Sequence, residues 1–195
     1  EYVQKIKNQS IYWQNNLTAI NEFITEENIS EIIKNNVKET NLGLFSLDID
    51  GNDYWILKKL ELTSDIVVLE YNPIFGDIYK LSIIYESDFD RNKKNFSNTY
   101  FGCSIQAIIN LMERKNYVFL GTNTHGMNAF FVNKNKYHHL KDKIANIIIF
   151  PPKIREARNN EGKLNFKNIK ENINIFKNFE VYDIDENKIR KLSDY

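Results

Sequence analysis

A strand, an acid-rich turn and a helix follow one another between residues 44 and 60, and this succession constrains the fold of the chain more than any other feature. The apolar pattern predicts a buried strand that ends in Asp48 and Asp50, and an aromatic-rich helix begins near Asp53. Gly51 stands at the turn between them. Such a unit is typical of an α/β domain, in which ligands bind at the carboxyl ends of the strands.

The spacing of these acids leaves two explanations open. Asn52 or Asp53 can cap the helix, and Asp48 and Asp50 can form a solvated strand end. Capping accounts well for one acid and poorly for three. Alternatively, acids clustered at a strand end can hold a cation or a cationic cofactor, which indicates an enzyme.

The remaining elements alternate in a similar way. Apolar runs predict strands at residues 17–24, 43–49, 65–71, 117–121 and 129–132. Helices are predicted at residues 25–36 and 53–60, with Thr25 as an N-cap of the first. Ser104 caps a further helix with an apolar stripe of Ile105, Ile108, Ile109 and Met112. This order predicts an α/β fold with a mainly parallel sheet. The short connection between the last two strands adds one antiparallel strand at the sheet edge.

The chain is predicted to form one α/β domain over residues 1–150 and a C-terminal extension, residues 151–195, packed on the same domain. The extension follows Pro151-Pro152 and contains modest elements near residues 168–176 and 181–192. Within the domain, residues 72–101 have weak periodicity. Loops of this length in compact domains tend to be functional.

The composition argues against several classes of protein. Lys+Arg and Asp+Glu number 26 each, so no net charge draws the chain toward nucleic acid. No apolar run approaches the roughly 20 residues of a membrane-spanning helix, and no membrane insertion is expected. The single cysteine, Cys103, excludes an internal disulfide and fits a reducing compartment. We therefore predict a cytoplasmic protein, and we expect no nucleophilic role for Cys103.

Several of these segments together resemble a known family. The most specific match is Asp48-Ile49-Asp50-Gly51-Asn52-Asp53-Tyr54-Trp55. Weaker matches are Phe23-Ile24-Thr25, Asn28-Ile29, Val68-Leu69-Glu70-Tyr71-Asn72, Tyr100-Phe101-Gly102 with Ser104, Gly121, Asn123, Gly126, residues 128–132, Arg155-Glu156, Arg158 and Glu161-Gly162. Over residues 17–165 the chain resembles the FkbM-like S-adenosylmethionine-dependent methyltransferases, which have a class I Rossmann-like fold.

The resemblance implies that these strands are the third to seventh of a seven-stranded sheet. The first two strands are then missing from the chain, together with the glycine-rich turn that cradles the methionine part of the cofactor and the acid that holds its ribose. We therefore expect an N-terminally incomplete chain, with roughly 50 to 60 further residues upstream of Glu1. An ordered, complete sheet formed by the given residues alone would contradict this expectation.

A cation site is predicted at the ends of two neighbouring strands. Strand alternation directs Asp48 and Asp50 to one face, and Glu70 and Asn72 to one face of the next strand. Catechol-type O-methyltransferases have a similar arrangement, although here Tyr71 separates the second pair. We predict that Asp50 with Glu70 or Asn72 holds Mg²⁺, and that Asp48 lies nearer the cofactor amine. Alternatively, Glu70 is a strand-end carboxylate bound by backbone donors.

His125 is the predicted general base, because an imidazole titrates near physiological pH and this one lies in the loop between the last two strands. The alternative is an inert exposed histidine. The resemblance implies that Asn123 and Asn128, on either side of it, bind the acceptor.

Two further pairs have candidate roles. Arg155 and Arg158 stand three residues apart, a spacing that places both guanidinium groups on one helical face. They form either a clamp for a phosphorylated or carboxylated acceptor or a surface ion-pair cluster. Phe23 and Ile24 either wall the adenine ring of the cofactor or belong to the core.

The resemblance implies an S-adenosylmethionine-dependent O-methyltransferase that acts on a small or saccharide-linked acceptor in capsule or surface-polysaccharide biosynthesis. Asp50, Asp48 and His125 are its predicted catalytic residues. One alternative is a metal-dependent glycosyltransferase that binds a nucleotide-sugar through Asp48-Ile49-Asp50. Another is a non-catalytic Rossmann-like partner subunit. The acceptor and a homo-oligomeric state stay open.

Overall fold

The computed structural model describes residues 1–39, 41–61, 63–144 and 146–195. A four-stranded sheet has the spatial order β1-β2-β5-β4, and a three-stranded sheet has the order β3-β6-β7. The strands are β1 (Leu42–Leu47), β2 (Ser64–Glu70), β3 (Leu81–Ser82), β4 (Tyr117–Thr122), β5 (Asn128–Asn133), β6 (Glu180–Asp183) and β7 (Lys188–Lys191).

Helices connect and cover these strands. They are α1 (Tyr2–Lys7), α2 (Ser10–Gln14), α3 (Ile29–Asn36), α4 (Asp53–Lys59), α5 (Arg91–Lys94), α6 (Ile105–Arg114), α7 (Lys134–Tyr137) and α8 (Ile169–Phe176). Single turns of 3₁₀ helix lie at Pro73–Phe75, Lys141–Lys143 and Leu192–Asp194. The chain is therefore α/β, as predicted. Among the described residues no helix is long and apolar enough to cross a membrane.

The four-stranded sheet is mixed, and the predicted place of its antiparallel strand is wrong. β1 and β2 are parallel, whereas β5 is antiparallel to both of its neighbours, β2 and β4. β5 therefore lies inside the sheet and β4 lies at the edge. Burial accounts for this order, because Ala129, Phe131 and Val132 of β5 are at most 1% exposed and need cover on both sides.

The predicted strand at residues 17–24 does not form. These residues pair with no other strand in the described part of the chain, and a strand is defined by its ladder of partners. The following helix also begins later than predicted, at Ile29, because Thr25 and Asn28 hydrogen-bond to one another across the preceding turn. β1 exposes Leu44 by 60%, so this strand is less buried than its sequence indicates.

The main core lies between the sheet and the helices α4 and α6. Ser104 caps α6 by accepting a hydrogen bond from Ala107 N at 3.2 Å, which confirms the predicted cap. Ile105, Ile108 and Met112 are at most 1% exposed, so the predicted apolar stripe is core. This packing holds the ends of β1 and β2 in a fixed relation to the loops beyond them.

The three-stranded sheet joins the C-terminal tail to residues 72–101. β6 pairs antiparallel with both β3 and β7. A second apolar cluster includes Phe89 and Phe101 from the long segment and Phe176 and Val181 from the tail. The long predicted loop therefore contains ordered elements, and the tail brings further residues toward the ends of β1 and β2.

Candidate functional site

Three carboxylates meet beyond the carboxyl ends of β1 and β2. Asp48 directly follows β1, and Glu70 is the last residue of β2. The parallel register places Leu47 opposite Leu69, so both strands end at the same level. One carboxylate oxygen from each of Asp48, Asp50 and Glu70 lies within 4.8 Å of the others. The predicted convergence of acids at these strand ends is therefore present in the structure.

Their proximity makes Glu70 a weak acid. Burial, and then the charge of Asp48, raises the pKa of Glu70 to about 9. Burial and the charge of Asp50 also raise the pKa of Asp48. Oε2 of Glu70 is buried and has no hydrogen-bond partner within the described residues. At neutral pH this side chain consequently carries a proton, unless a cation compensates the three carboxylates.

Asp53 has a structural role. Its carboxylate accepts hydrogen bonds from Ile49 N at 3.0 Å and Gly51 N at 2.9 Å, and the residue is 4% exposed. Burial raises the pKa of Asp53 to about 6, although both backbone donors favour its charged form. The closed turn holds Asp50 at φ +55°, a conformation that Asp tolerates better than most residues do. Asp53 thus fixes the turn that presents Asp50.

Arg91 joins Asp50 to the C-terminal tail. Its guanidinium forms ion pairs with Asp50 and Glu156, and it lies 4.3 Å from the centre of the Phe101 ring. Nε donates to the carbonyl of Asn98 at 2.8 Å, and the residue is only 9% exposed. Arg91 could not be predicted from the sequence, because its two acidic partners are 41 and 65 residues away and no local pattern connects them.

A cavity of about 280 Å³ lies between the end of β2, the β4–β5 turn and residues 150–158, a segment called the strap below. Six predicted site residues line this strap cavity: Glu70, Asn72, Asn123, His125, Asn128 and Arg155. Arg91 and Glu156 also line it. The structure therefore gathers residues from β2, the hairpin and the tail around one space.

Two of these asparagines are held by internal hydrogen bonds. Asn72 is fully buried, donates to the carbonyls of Thr99 and Phe101 at 2.9 Å, and accepts from Ile74 N at 3.1 Å. Asn123 accepts from two backbone amides of its own turn. Asp48 joins Asp50 and Glu70 in a trio of carboxylates that can hold a divalent cation, while the amide oxygen of Asn72 accepts a hydrogen bond from Ile74 N.

Arg158 lies apart from Arg155. Its guanidinium donates to the carbonyl of Gly162 at 2.8 Å, and its backbone N donates to Ser97 O at 3.0 Å. The predicted arginine pair does not face one site, because the strap has no helix that would align residues three apart. Only Arg155 of the pair lines the strap cavity.

A second cavity lies on the other side of Arg91. It has a volume of about 400 Å³ and is lined by Phe23, Ile49, Asp50 and Phe89 in addition to Arg91, and we call it the Phe23 cavity. A smaller adjoining space of about 200 Å³ includes Ile24, Gly51 and Asn52. The predicted pair Phe23 and Ile24 therefore lies beside spaces at the acid-rich turn that combine apolar residues with charged ones, among them Asp88, Asp90 and Lys93 of the Phe23 cavity. Ile24 also packs against the main core.

Gly51 shapes the smaller of these two spaces, which it lines together with Phe89. A Cβ atom at residue 51 would lie 2.6 Å from the Phe89 ring, so the turn admits the ring only because residue 51 is glycine. Cys103 is fully buried, and burial raises the pKa of its thiol.

The two cavities share Arg91, whose guanidinium pairs with Asp50 of the Phe23 cavity and with Glu156 of the strap cavity. Such an arrangement can hold two ligands on either side of a cluster of charged groups. The chain matches no protein-family model, no curated protein and no solved structure. The assignment of a function consequently depends on the site itself.

Proposed function

We propose that this chain is an S-adenosylmethionine-dependent O-methyltransferase with a class I Rossmann-like fold. The observation that carries the proposal is that two cavities share Arg91, the strap cavity being lined by Glu70 at the end of β2 and the Phe23 cavity by Ile49 and Asp50 beyond β1. A group-transfer enzyme needs a donor and an acceptor on either side of its reacting atoms, and the strand ends of an α/β sheet are where such ligands bind.

The sheet supports the same proposal. The resemblance implies that β1, β2, β4 and β5 are the fourth to seventh strands of the methyltransferase sheet. Of these, β1 and β2 are parallel neighbours, as in the mainly parallel sheet that the resemblance implies, and β5 lies antiparallel between β2 and β4. Fold alone does not establish an activity, so the proposal depends on the two cavities.

In this proposal the Phe23 cavity holds the adenosine and the strap cavity holds the acceptor. Phe23 and Ile24 contact the adenine, and Asp48 faces the amine of the cofactor. S-adenosylmethionine supplies the methyl group: a lone pair of the acceptor oxygen forms the new O–C bond, and the C–S electron pair stays on sulfur.

The proton of the acceptor hydroxyl goes to His125, which lines the strap cavity. Glu70 is protonated at neutral pH and orients the hydroxyl, as long as no cation is bound. Asp48, Asp50 and Glu70 are the residues that would hold Mg²⁺, and Asp50 also forms an ion pair with Arg91. A saccharide-linked acceptor in surface-polysaccharide biosynthesis follows from the resemblance.

The test is calorimetric binding of S-adenosylhomocysteine to the full natural gene product, with and without Mg²⁺. We expect micromolar affinity for the wild type and weaker binding for Asp50→Asn, because asparagine keeps the left-handed backbone at this turn and removes the charge. Asp185→Asn is the matched control, since Asp185 is an exposed acid that pairs with Lys80 outside both cavities. No binding by the wild-type protein would refute the proposal.

The meeting of three carboxylates also favours a second candidate, a metal-dependent glycosyltransferase that uses Asp48 and Asp50. That enzyme would bind a nucleoside diphosphate through Mn²⁺ or Mg²⁺. Calorimetry with UDP and Mn²⁺ distinguishes the two candidates, because only the glycosyltransferase should bind UDP and only the methyltransferase should bind S-adenosylhomocysteine.

A further inference from the structure

The strap is fixed against the β4–β5 hairpin by hydrogen bonds that its backbone amides donate. Phe150 N donates to Thr122 Oγ1 at 2.9 Å, and Lys153 N donates to His125 O at 2.9 Å. At its far end Arg158 N donates to Ser97 O. The strap is therefore a positioned wall of the cavity, although it forms no helix and no strand of the two sheets.

Gly126 allows this close approach. Its φ is +65°, and a Cβ atom there would lie 2.5 Å from Phe150 O and 2.9 Å from Pro152 Cα. Backbone thus packs directly on backbone. On the inner side, Ile154 packs against the second apolar cluster and Ala157 is 1% exposed, which anchors the residues that flank them.

The strap cations that line the cavity lack acidic partners. Lys153 and Arg155 both line the strap cavity, and within the described residues neither forms an ion pair. Glu156, the acid between Arg155 and Arg158, is paired with Arg91 instead. One wall of the cavity therefore carries two exposed cationic residues that form no ion pair with the described residues.

The other walls of the strap cavity combine apolar side chains with a carboxyl group and an amide. Phe101 and Met127 supply apolar surface, while Glu70 supplies a carboxyl group from the end of β2 and Asn128 an amide from the start of β5. Its volume of about 280 Å³ is close to the lower end, about 300 Å³, of the usual range for ligand pockets. A ligand of one sugar residue fits this size, and a negative group on it would complement the strap wall.

We propose that the acceptor is a saccharide with an anionic group, a carboxylate or a phosphate, which Lys153 and Arg155 bind while a hydroxyl of the sugar lies toward Glu70 and His125. This inference rests on the proposed function, since it assigns the strap cavity to the acceptor. It replaces the predicted pair of Arg155 and Arg158 with a pair that lines one cavity.

The experiment measures binding directly and needs no methyl transfer. D-glucuronate, glucose 6-phosphate and glucose are titrated into the full natural protein, and affinities are taken from NMR chemical shifts. The variants are Lys153→Gln and Arg155→Gln, both at exposed positions where folding should be unaffected. Arg158→Gln is the matched control, because its guanidinium binds a backbone carbonyl outside the cavity.

We expect at least one of the two charged sugars to bind about tenfold more tightly than glucose, and each strap variant to lose about tenfold in affinity for it, as for the loss of one charged hydrogen bond. Arg158→Gln should bind like the wild type. The tighter of the two charged sugars identifies the carboxylate or the phosphate as the recognised group. Equal binding of all three sugars, unchanged affinity in both strap variants, or no binding of any sugar overturns the inference.

Measuring both sugar binding and S-adenosylhomocysteine binding on the same wild-type protein distinguishes this inference from the proposed function. Binding of a charged sugar without binding of S-adenosylhomocysteine would refute the methyltransferase and leave the anion subsite in place. Binding of S-adenosylhomocysteine without preference for a charged sugar would refute the anion subsite alone.

Discussion

Replacing Glu70 with glutamine should stabilise the chain, and the gain should grow with pH. The folded-state pKa of Glu70 is about 9, against an ordinary value of 4.5. Between these two values the folded chain binds a proton at this residue that the unfolded chain has released. The stability of the wild type therefore falls as pH rises from 4.5 to about 9. Glutamine does not titrate, so the stability of Glu70→Gln does not fall for this reason as pH rises.

The size of the expected gain in the free energy of unfolding follows from how far the pH lies above the ordinary pKa of glutamate. Each pH unit corresponds to about 1.4 kcal/mol, so at pH 7, about 2.5 units above the ordinary pKa, Glu70→Gln gains up to about 3 kcal/mol. Because the side chain is only partly buried, we expect about 2 kcal/mol. Near pH 5 the gain should be below about 1 kcal/mol.

Urea denaturation followed by circular dichroism measures this difference between pH 5 and pH 8.5, with EDTA present to exclude divalent cations. The slope against pH is the decisive quantity, because a fixed difference in hydrogen bonding between glutamine and protonated glutamate shifts every point equally. Glu113→Gln, at an exposed position of α6, is the control. A difference from the wild type that stays constant over this range, once the control is subtracted, refutes the reasoning on Glu70.

Three further predictions follow from the site. Asn72→Ala should lower the free energy of unfolding by about 2 to 3 kcal/mol in urea, because three buried backbone groups lose their partner; a loss below about 0.5 kcal/mol would contradict this. Gly126→Ala should destabilise more than Gly162→Ala, which has a similar positive φ and open space around it, and equal losses would exclude the packing of Pro152 on Gly126. If the three carboxylates hold Mg²⁺, the ion should raise the urea midpoint of the wild type, more so at higher pH because Glu70 must lose its proton, and should not raise that of Asp48→Asn. Equal midpoint shifts would exclude this cation site.

Elements with a local cause were predictable from the sequence. The Ser104 cap and the apolar stripe that follows it specify α6, and the turn with Gly51 specifies the change from β1 to α4. The hairpin of β4 and β5 was likewise predictable from two apolar runs and a short polar connection. Because parallel strands end at one edge of a sheet, the meeting of Asp48 and Glu70 could be derived as well.

Features that depend on distant partners were not predictable in this way. Residues 17–24 have the composition of a strand, yet no neighbour pairs with them among the described residues. Arg155 and Arg158 have helical spacing, but the strap is held by hydrogen bonds to other segments and forms no helix. Periodicity describes the chain along its own length and carries no information about what lies beside it.

The sequence by itself determined the α/β class, the main local elements and the acids at two strand ends, because all of these follow from periodicity, capping and turn chemistry. Only the tertiary structure decided that β5 lies inside the sheet, that Arg91 binds Asp50 and Glu156, and that Lys153 and Arg155 line one cavity. These contacts join residues tens of positions apart. Their energies depend on burial and distance, which exist only once the chain is folded.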